Sequence, residues 1–356
     1  MDEATSTQGD LVEQVTYTFD ELARESAEIR NPFFEQAAQN RRISSIILEK
    51  DFWVCWTLRR LFEDSALADR LVFKGGTSLS KVYDVIERFS EDIDILIDRE
   101  TFGFAGDDDV NASQTKSARE RTLHKIDDVV HEYVGETLLR VLATSFRRHL
   151  PAEDWSLRVD PEDESGATLL FAYPGGFAAD ELSYIRRVVR MEFGGRPDKW
   201  PAEQRTIRAY VAGDFPRLIT DADTLVHVLS VHRTFWEKAT ILHAYAHFPD
   251  AKVLPARSSR HFYDLSMMSK MEAANAALAD QFLLKAVVEN KTLFYPDNKA
   301  SYETALPGSF VLLPSTARLT DLERDYREMQ PMFFTKPPLW SEIVTSLEVL
   351  QGKINA

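Results

Sequence analysis

The chain has 356 residues, 44% of them hydrophobic and 28% charged, and its 42 Lys and Arg against 57 Asp and Glu give a net charge of −15. Such a composition describes a globular protein of one to three domains. With Cys55 as its only cysteine, the chain forms neither an internal disulfide nor a cysteine-based zinc site. No stretch is long and apolar enough to span a bilayer, and the start is polar and acidic rather than signal-like. No membrane association and a cytoplasmic location are therefore expected.

In chain order, Met1 to about Gly9 is polar and expected to be disordered, and the spacing of Leu11, Val15, Phe19 and Leu22 predicts a helix to Arg30. A second helix is predicted from Ser44 to Phe62, then a buried strand Leu71-Val72-Phe73, a helix from Ser78 to Arg88 and a strand from Ile93 to Ile97. Gly103 to Gln114, with Asp107-Asp108-Asp109, reads as an exposed loop, and a helix is expected from Ser117 to about Leu142. Leu157–Val159, Thr168–Tyr173 and Ile185–Phe193 are strand-like runs of β-branched and aromatic residues. From Asp223, which would cap a helix through His247, the chain turns helical: Phe262 to Met271, Glu272 to Asn290, Leu319 to Glu328 and Ser341 to Ile354.

The net acidity runs against a nucleic-acid substrate, whose binding faces are basic. Two basic clusters offset it locally: Arg140, Arg147 and Arg148, and the arginines and lysine from Arg186 to Arg217. They read equally as an RNA-facing surface or as solvated faces paired with the many carboxylates.

The most specific pattern is Phe73-Lys74-Gly75-Gly76-Thr77-Ser78 followed by Ser90-Glu91-Asp92-Ile93-Asp94. Alternate residues of a strand share a face, so Asp92 and Asp94 point together and suit a hard cation such as Mg2+, or Mn2+ in its place. Gly75 and Gly76 let backbone approach a polyphosphate, and the helix start that Thr77 or Ser78 would cap attracts anions. Lys81 lies one helical turn from Ser78 and is expected over the same phosphates, with an exposed lysine paired to Asp84 or Glu87 as the alternative. Strand carboxylates beside a phosphate cradle imply phosphoryl or nucleotidyl transfer from an NTP. His243 and His247 are four apart on a helix, but Ala244 stands where a zinc protease carries its glutamate, and no P-loop pattern is present.

These residues resemble the Gly-Gly…Asp-x-Asp signature of the DNA polymerase β-type nucleotidyltransferase superfamily. With Glu49-Lys50-Asp51-Phe52-Trp53-Val54, Trp236-Glu237-Lys238, Arg260-His261-Phe262-Tyr263-Asp264 and Leu322-Glu323-Arg324-Asp325-Tyr326, the pattern is similar to the AbiEii/AbiGii-type toxin nucleotidyltransferases, relatives of the MenT toxins. The resemblance runs from about Ile46 to the C terminus. It implies a functional lysine at Lys238 against the nucleotide phosphates, a functional aspartate at Asp264, and Arg260 either on phosphate or paired bidentately with Asp264. It also implies a third metal carboxylate on a neighbouring strand. Glu192 is the residue in that position, with pairing to Arg190 as the alternative.

The expected fold is α+β, a nucleotidyltransferase core of mixed sheet flanked by helices with a helical C-terminal half. The expected segments are 1–45, an N-terminal helical piece; 46–220, the core; and 221–356, the helical domain. By resemblance the activity is Mg2+-dependent transfer of NMP from NTP to RNA, at the tRNA 3′ end, by the toxin of a toxin–antitoxin or phage-defence system with a cognate antitoxin. The alternatives are an NTP-binding interaction module without turnover, or a phosphotransferase or nucleotidyltransferase acting on a small molecule or protein.

Overall fold

The computed structural model describes residues 15–63, 68–113, 115–177 and 186–356. The expected disordered start and residues 11–14 of the first predicted helix lie outside them. Among the described residues, a mixed sheet has strands β1 (Leu71–Lys74), β2 (Asp92–Ile97), β3 (Ser156–Val159), β4 (Thr168–Ala172), β5 (Val188–Gly194), β6 (Ala202–Ile207) and β7 (Thr224–Leu229) in the order β3-β4-β5-β2-β1-β7-β6. The fold is the α+β architecture expected, a mixed sheet flanked by helices.

One face of this sheet is apolar. Ile93 and Ile95 of β2, Leu169 and Phe171 of β4 and Val189 and Met191 of β5 are buried there at alternate positions, the two-residue period of a sheet packed on one side. Against them lies α2 (Ser45–Glu63), which follows α1 (Ala27–Arg41). Its Trp56 and Trp53 rings sit 5.8 and 5.9 Å from Phe171. From Ile47 to Phe62 every residue of α2 is buried, polar ones included. Such burial is tolerated only where charges find partners. Lys50 pairs with Glu91, Asp51 with Lys81 at 2.7 Å, and Arg59 with Asp221 at 2.8 Å.

A second apolar core lies among the C-terminal helices α6 (Val231–His247), α7 (Ser259–Met268), α8 (Gln281–Phe294), α9 (Thr316–Glu328) and α10 (Trp340–Asn355). Phe235 and Trp236, Phe262, Leu322 and Leu347 are among its members. Leu79, Val85 and Ile86, from the segment after β1, also belong to it, so this short stretch ties the helical core to the sheet. Arg88 and Phe333 form a β-bridge, and Phe89 N–H donates to Met332 C=O at 2.7 Å.

Several elements depart from expectation. Thr224–Leu229, expected to begin a helix capped by Asp223, is a strand between β1 and β6, and α6 is capped instead by the Ser230 side chain, which accepts from Arg233 N–H. Asp223 instead pairs with Arg208 at 2.6 Å. The helix after β1 is α3 (Gly75–Lys81), earlier and shorter than Ser78 to Arg88, so residues 82–91 form the connection to β2. The helix predicted from Glu272 to Asn290 is broken at Asp280, whose side chain caps α8. The chain from Lys116 to His149 is continuously helical (α4), with a π-helical stretch at Tyr133–Leu138, and α5 is the short helix Tyr210–Asp214.

Candidate active site

The polar face of the sheet carries the site, and strand register dictates its plan. Lys74 of β1 pairs across to Asp94 of β2, and Asp94 to Glu192 of β5; paired residues in a sheet point to the same side. Asp92, two residues earlier on β2, shares that side and pairs with Arg190 of β5. Together Lys74, Asp92, Asp94 and Glu192 line one wall of a cavity of about 190 Å³. Gly75 and Gly76 line it as well, where β1 turns into α3.

This turn needs glycine for two reasons. Gly75 has φ +80°, and a Cβ there would meet Asp94 Oδ2 at 1.9 Å. A Cβ on Gly76 would meet Ser90 Oγ at 2.7 Å and Arg88 Nη2 at 2.8 Å. The bare backbone therefore lets the Asp94 carboxylate lie against the turn. No side chain caps the start of α3.

The opposite wall comes from the helical half. Lys238 and Glu237 of α6, Arg260 and His261 of α7 and Lys291 of α8 all face the cavity. Behind Lys238 lies a buried charge cluster. Asp264, with no exposed surface, accepts from Lys238 Nζ at 2.7 Å and from Arg88 Nε and Nη2 at 2.7 and 2.8 Å. His261 Nδ1 lies 3.2 Å from Lys238 Nζ. Burial drives the Asp264 carboxyl upward, but the Arg88 and Lys238 charges outweigh it and hold the group far below the usual carboxylate range. Burial lowers Lys238 from the usual lysine value, with Asp264 opposing. Burial and the neighbouring cations hold His261 well below its ordinary value, hence neutral.

The carboxylate wall behaves in the opposite way. Burial, then Glu91 and Asp94, raise the Asp92 carboxyl above its ordinary value, and burial, Asp94 and Asp92 do the same to Glu192. Like charges face one another across this wall with incomplete compensation: Lys74 Nζ stands 3.9 Å from Asp94, and Arg190 Nε 3.0 Å from Glu192. Among the described residues no three His, Cys, Asp or Glu side chains are drawn into a ready metal site. The all-oxygen donor set and its excess negative charge nonetheless fit a hard divalent cation.

The structure thus brings Asp92, Asp94, Glu192, Gly75, Gly76, Lys238 and Arg260 to one cavity, with Asp264 directly behind it. It does not bring three others. Lys81, expected over the phosphates, is buried 2.7 Å from Asp51 and 3.5 Å from the centroid of the Tyr210 ring, because the short α3 turns its last residue toward α2. The Thr77 and Ser78 hydroxyls, expected to hold phosphate, are buried: Thr77 donates to the Asp92 carbonyl, fastening the turn to β2, and Ser78 to the Gly75 carbonyl within the turn. The bidentate partner of Asp264 is Arg88, not Arg260. Sequence reasoning missed Arg88, Lys74, Glu237 and Lys291. Lys74 and Glu237 adjoin recognised motifs, while Arg88 and Lys291 carry no local signal. His243 uses both ring nitrogens, Nδ1 accepting from Val311 N–H at 3.0 Å and Nε2 facing Ser301 C=O at 3.0 Å.

A carboxylate wall that attracts a cation, facing lysines and an arginine that attract phosphate, suits a metal-bound polyphosphate, the substrate form used in phosphoryl and nucleotidyl transfer. A family model fixes the kind. Residues 56–346 match the nucleotidyl transferase AbiEii toxin family of type IV toxin–antitoxin systems, and the chain belongs to that family. Membership implies an NTP substrate and an antitoxin partner. Among solved structures the chain is similar to MenT4, a nucleotidyltransferase toxin from Mycobacterium tuberculosis H37Rv, at 17% identity over 90% of this chain and 98% of that one, with a TM-score of 0.43. It is also similar to JHP933 from Helicobacter pylori, at 14% identity over 88% and 98%, with a TM-score of 0.34. No curated protein matches the chain. No helix among the described residues is long and apolar enough to cross a membrane.

Proposed function

We infer that the protein transfers NMP from an NTP to a hydroxyl of an RNA acceptor, the tRNA 3′ end, with Mg2+, and that this arrests growth as the toxin of its toxin–antitoxin pair or in phage defence. The reading is carried by one observation: Asp92 and Asp94 share a cavity with Lys74, Lys238, Arg260 and Lys291. Asp92 and Asp94 would hold the metal, and Glu192 would join them on release from Arg190. When bound, the ion would neutralise phosphate charge and orient the α-phosphorus. Lys238, kept charged by Asp264 against its burial, would hold the triphosphate with Arg260 and Lys291. The glycine turn would let the phosphates approach the backbone. The acceptor hydroxyl oxygen would bond to the α-phosphorus as the α–β phosphoanhydride bond breaks, with pyrophosphate leaving and the hydroxyl proton passing to solvent, and the site would contribute positioning and electrostatics.

A second reading, an NTP-binding protein without turnover, is favoured by the ion pair that occupies Glu192. Mass spectrometry of tRNA incubated with the protein, Mg2+ and each NTP in turn separates the two. A gain of whole NMP units at the 3′ end supports transfer. Unchanged RNA with all four nucleotides, alongside saturable NTP binding, supports the second reading.

A further inference from the structure

Asp92 borders two cavities. Besides the one described, it lines a second of about 380 Å³ on the other side, a volume typical of small-ligand sites. The floor of this second cavity follows a single row of strand pairings. Asp92 on β2 pairs with Arg190 on β5, Arg190 with Leu170 on β4, and Leu170 with Arg158 on β3, the sheet's edge. All four residues line the cavity. Three strand spacings make this row about 14 Å long, from the catalytic carboxylate to the open edge.

The chemistry changes along the row. Arg190, beside Asp92, lies 3.3 Å from the buried Asp160 and 3.0 Å from Glu192. Leu170 is an apolar patch in the middle. Arg158 is exposed and has no ion-pair partner among the described residues. Four of the eight basic residues from Arg186 to Arg217 are held in pairs away from this row: Arg196 with Asp127, Lys199 with Asp98, Arg205 with Glu203 and Arg208 with Asp223. The free guanidinium is placed on the row that leads to the reacting carboxylate.

We propose that this row is the acceptor trough, which seats the last few nucleotides of a single-stranded RNA 3′ end. Arg158 takes a backbone phosphate at the sheet edge, and Leu170 takes the face of a base or sugar. The terminal hydroxyl is delivered past Arg190 to Asp92, while the NTP occupies the other cavity. An arginine fork suits phosphate, and single strands bind on apolar or aromatic platforms beside cationic grooves. At about 3.4 Å per stacked nucleotide, a 14 Å row holds only a few nucleotides, so an end and not an internal segment is accommodated. This rests on the RNA acceptor reading above and assigns that acceptor its place.

The test uses the full chain and a dye-labelled oligoribonucleotide ending in a free 3′ hydroxyl. Its affinity is measured over a salt series by anisotropy, with NTP affinity measured separately. Variants are Arg158→Glu, Arg158→Ala and, as a control, Arg324→Glu, which alters an exposed arginine of α9 paired with Asp321. The expected result is a loss of RNA affinity of tenfold or more for R158E and a smaller loss for R158A. The slope of log K against log salt should become shallower by ~0.7 for the phosphate contact removed. NTP affinity should be unchanged, and R324E should match the wild type. RNA binding or transfer that is insensitive to R158E, or equally weakened by R324E, overturns the trough and leaves the RNA reading standing. NTP binding with no RNA binding and no RNA product overturns both.

Discussion

Replacing Asp264 with asparagine should destabilise the protein through a mechanism that a second substitution can expose. In the wild type a fully buried carboxylate sits 2.7 Å from Lys238 Nζ and 2.7 and 2.8 Å from two Arg88 nitrogens, so two cations share one anion. Asparagine keeps the shape and one acceptor but removes the charge, leaving the cations facing each other. Breaking a buried ion pair costs ~3–5 kcal/mol, and the retained acceptor places Asp264→Asn near the lower end, about 3 kcal/mol. If repulsion between Arg88 and Lys238 is the cause, then Arg88→Met in the D264N background should recover part of that loss, with a coupling of about 1–3 kcal/mol. Urea unfolding at pH 7.5 would measure both. The site should also respond to pH. Asp264 supports the Lys238 proton, whereas burial, Arg88 and Arg260 oppose it, so D264N should bind NTP weakly near neutrality and regain affinity as pH falls. D264N within about 1 kcal/mol of the wild type, or a double variant less stable than D264N, would refute the reasoning.

Three further outcomes follow from the same geometry. Asp92→Asn should lose transfer yet raise Tm at pH 8: the folded-state pKa of Asp92 is raised, so ionisation is disfavoured on folding, and the gain should vanish below about pH 4, where the carboxyl is protonated in both states. A lower Tm at pH 8 would contradict this. Lys81→Met should cost about 3–5 kcal/mol by stranding buried Asp51, while the KM for NTP measured on the folded enzyme stays within about twofold; a KM effect larger than tenfold would return Lys81 to the phosphates. Gly75→Ala places a methyl group 1.9 Å from Asp94 Oδ2 in a left-handed backbone, so kcat should fall by about a hundredfold or more, and wild-type kinetics would show that Asp94 is free to move without consequence.

What was legible in the sequence was local. The run from Phe73 to Asp94 places a strand, a glycine turn and paired carboxylates within 22 residues, and each step follows from short-range rules. Lys81 was misplaced because its partner Asp51 lies thirty residues earlier, on a helix whose packing decides which way α3 faces. Arg88 was invisible for the same reason: its function is set by Asp264, in the other half of the molecule. The strand Thr224–Leu229 was lost to an adjoining helix because Asp223 resembles a cap, although Ser230 does the capping. Edge strand β6, Ala202–Ile207, exposes three consecutive residues, Gln204 to Thr206, and so lacks the alternation that would reveal it. Glu192, which the resemblance implies as a third carboxylate on a neighbouring strand, stands in register with Asp94, and the pairing with Arg190 given as its alternative is present too.

The central claim is that this cavity moves an NMP group from NTP to RNA through Asp92 and Asp94. The most direct test incubates the protein with tRNA, Mg2+ and NTPs labelled at either the α- or the γ-phosphate, for the wild type and Asp94→Ala. The account predicts label on the RNA from the α-phosphate alone, none from the γ-phosphate, and loss of the signal in D94A. Label from the γ-phosphate, or undiminished α-label in D94A, would contradict it.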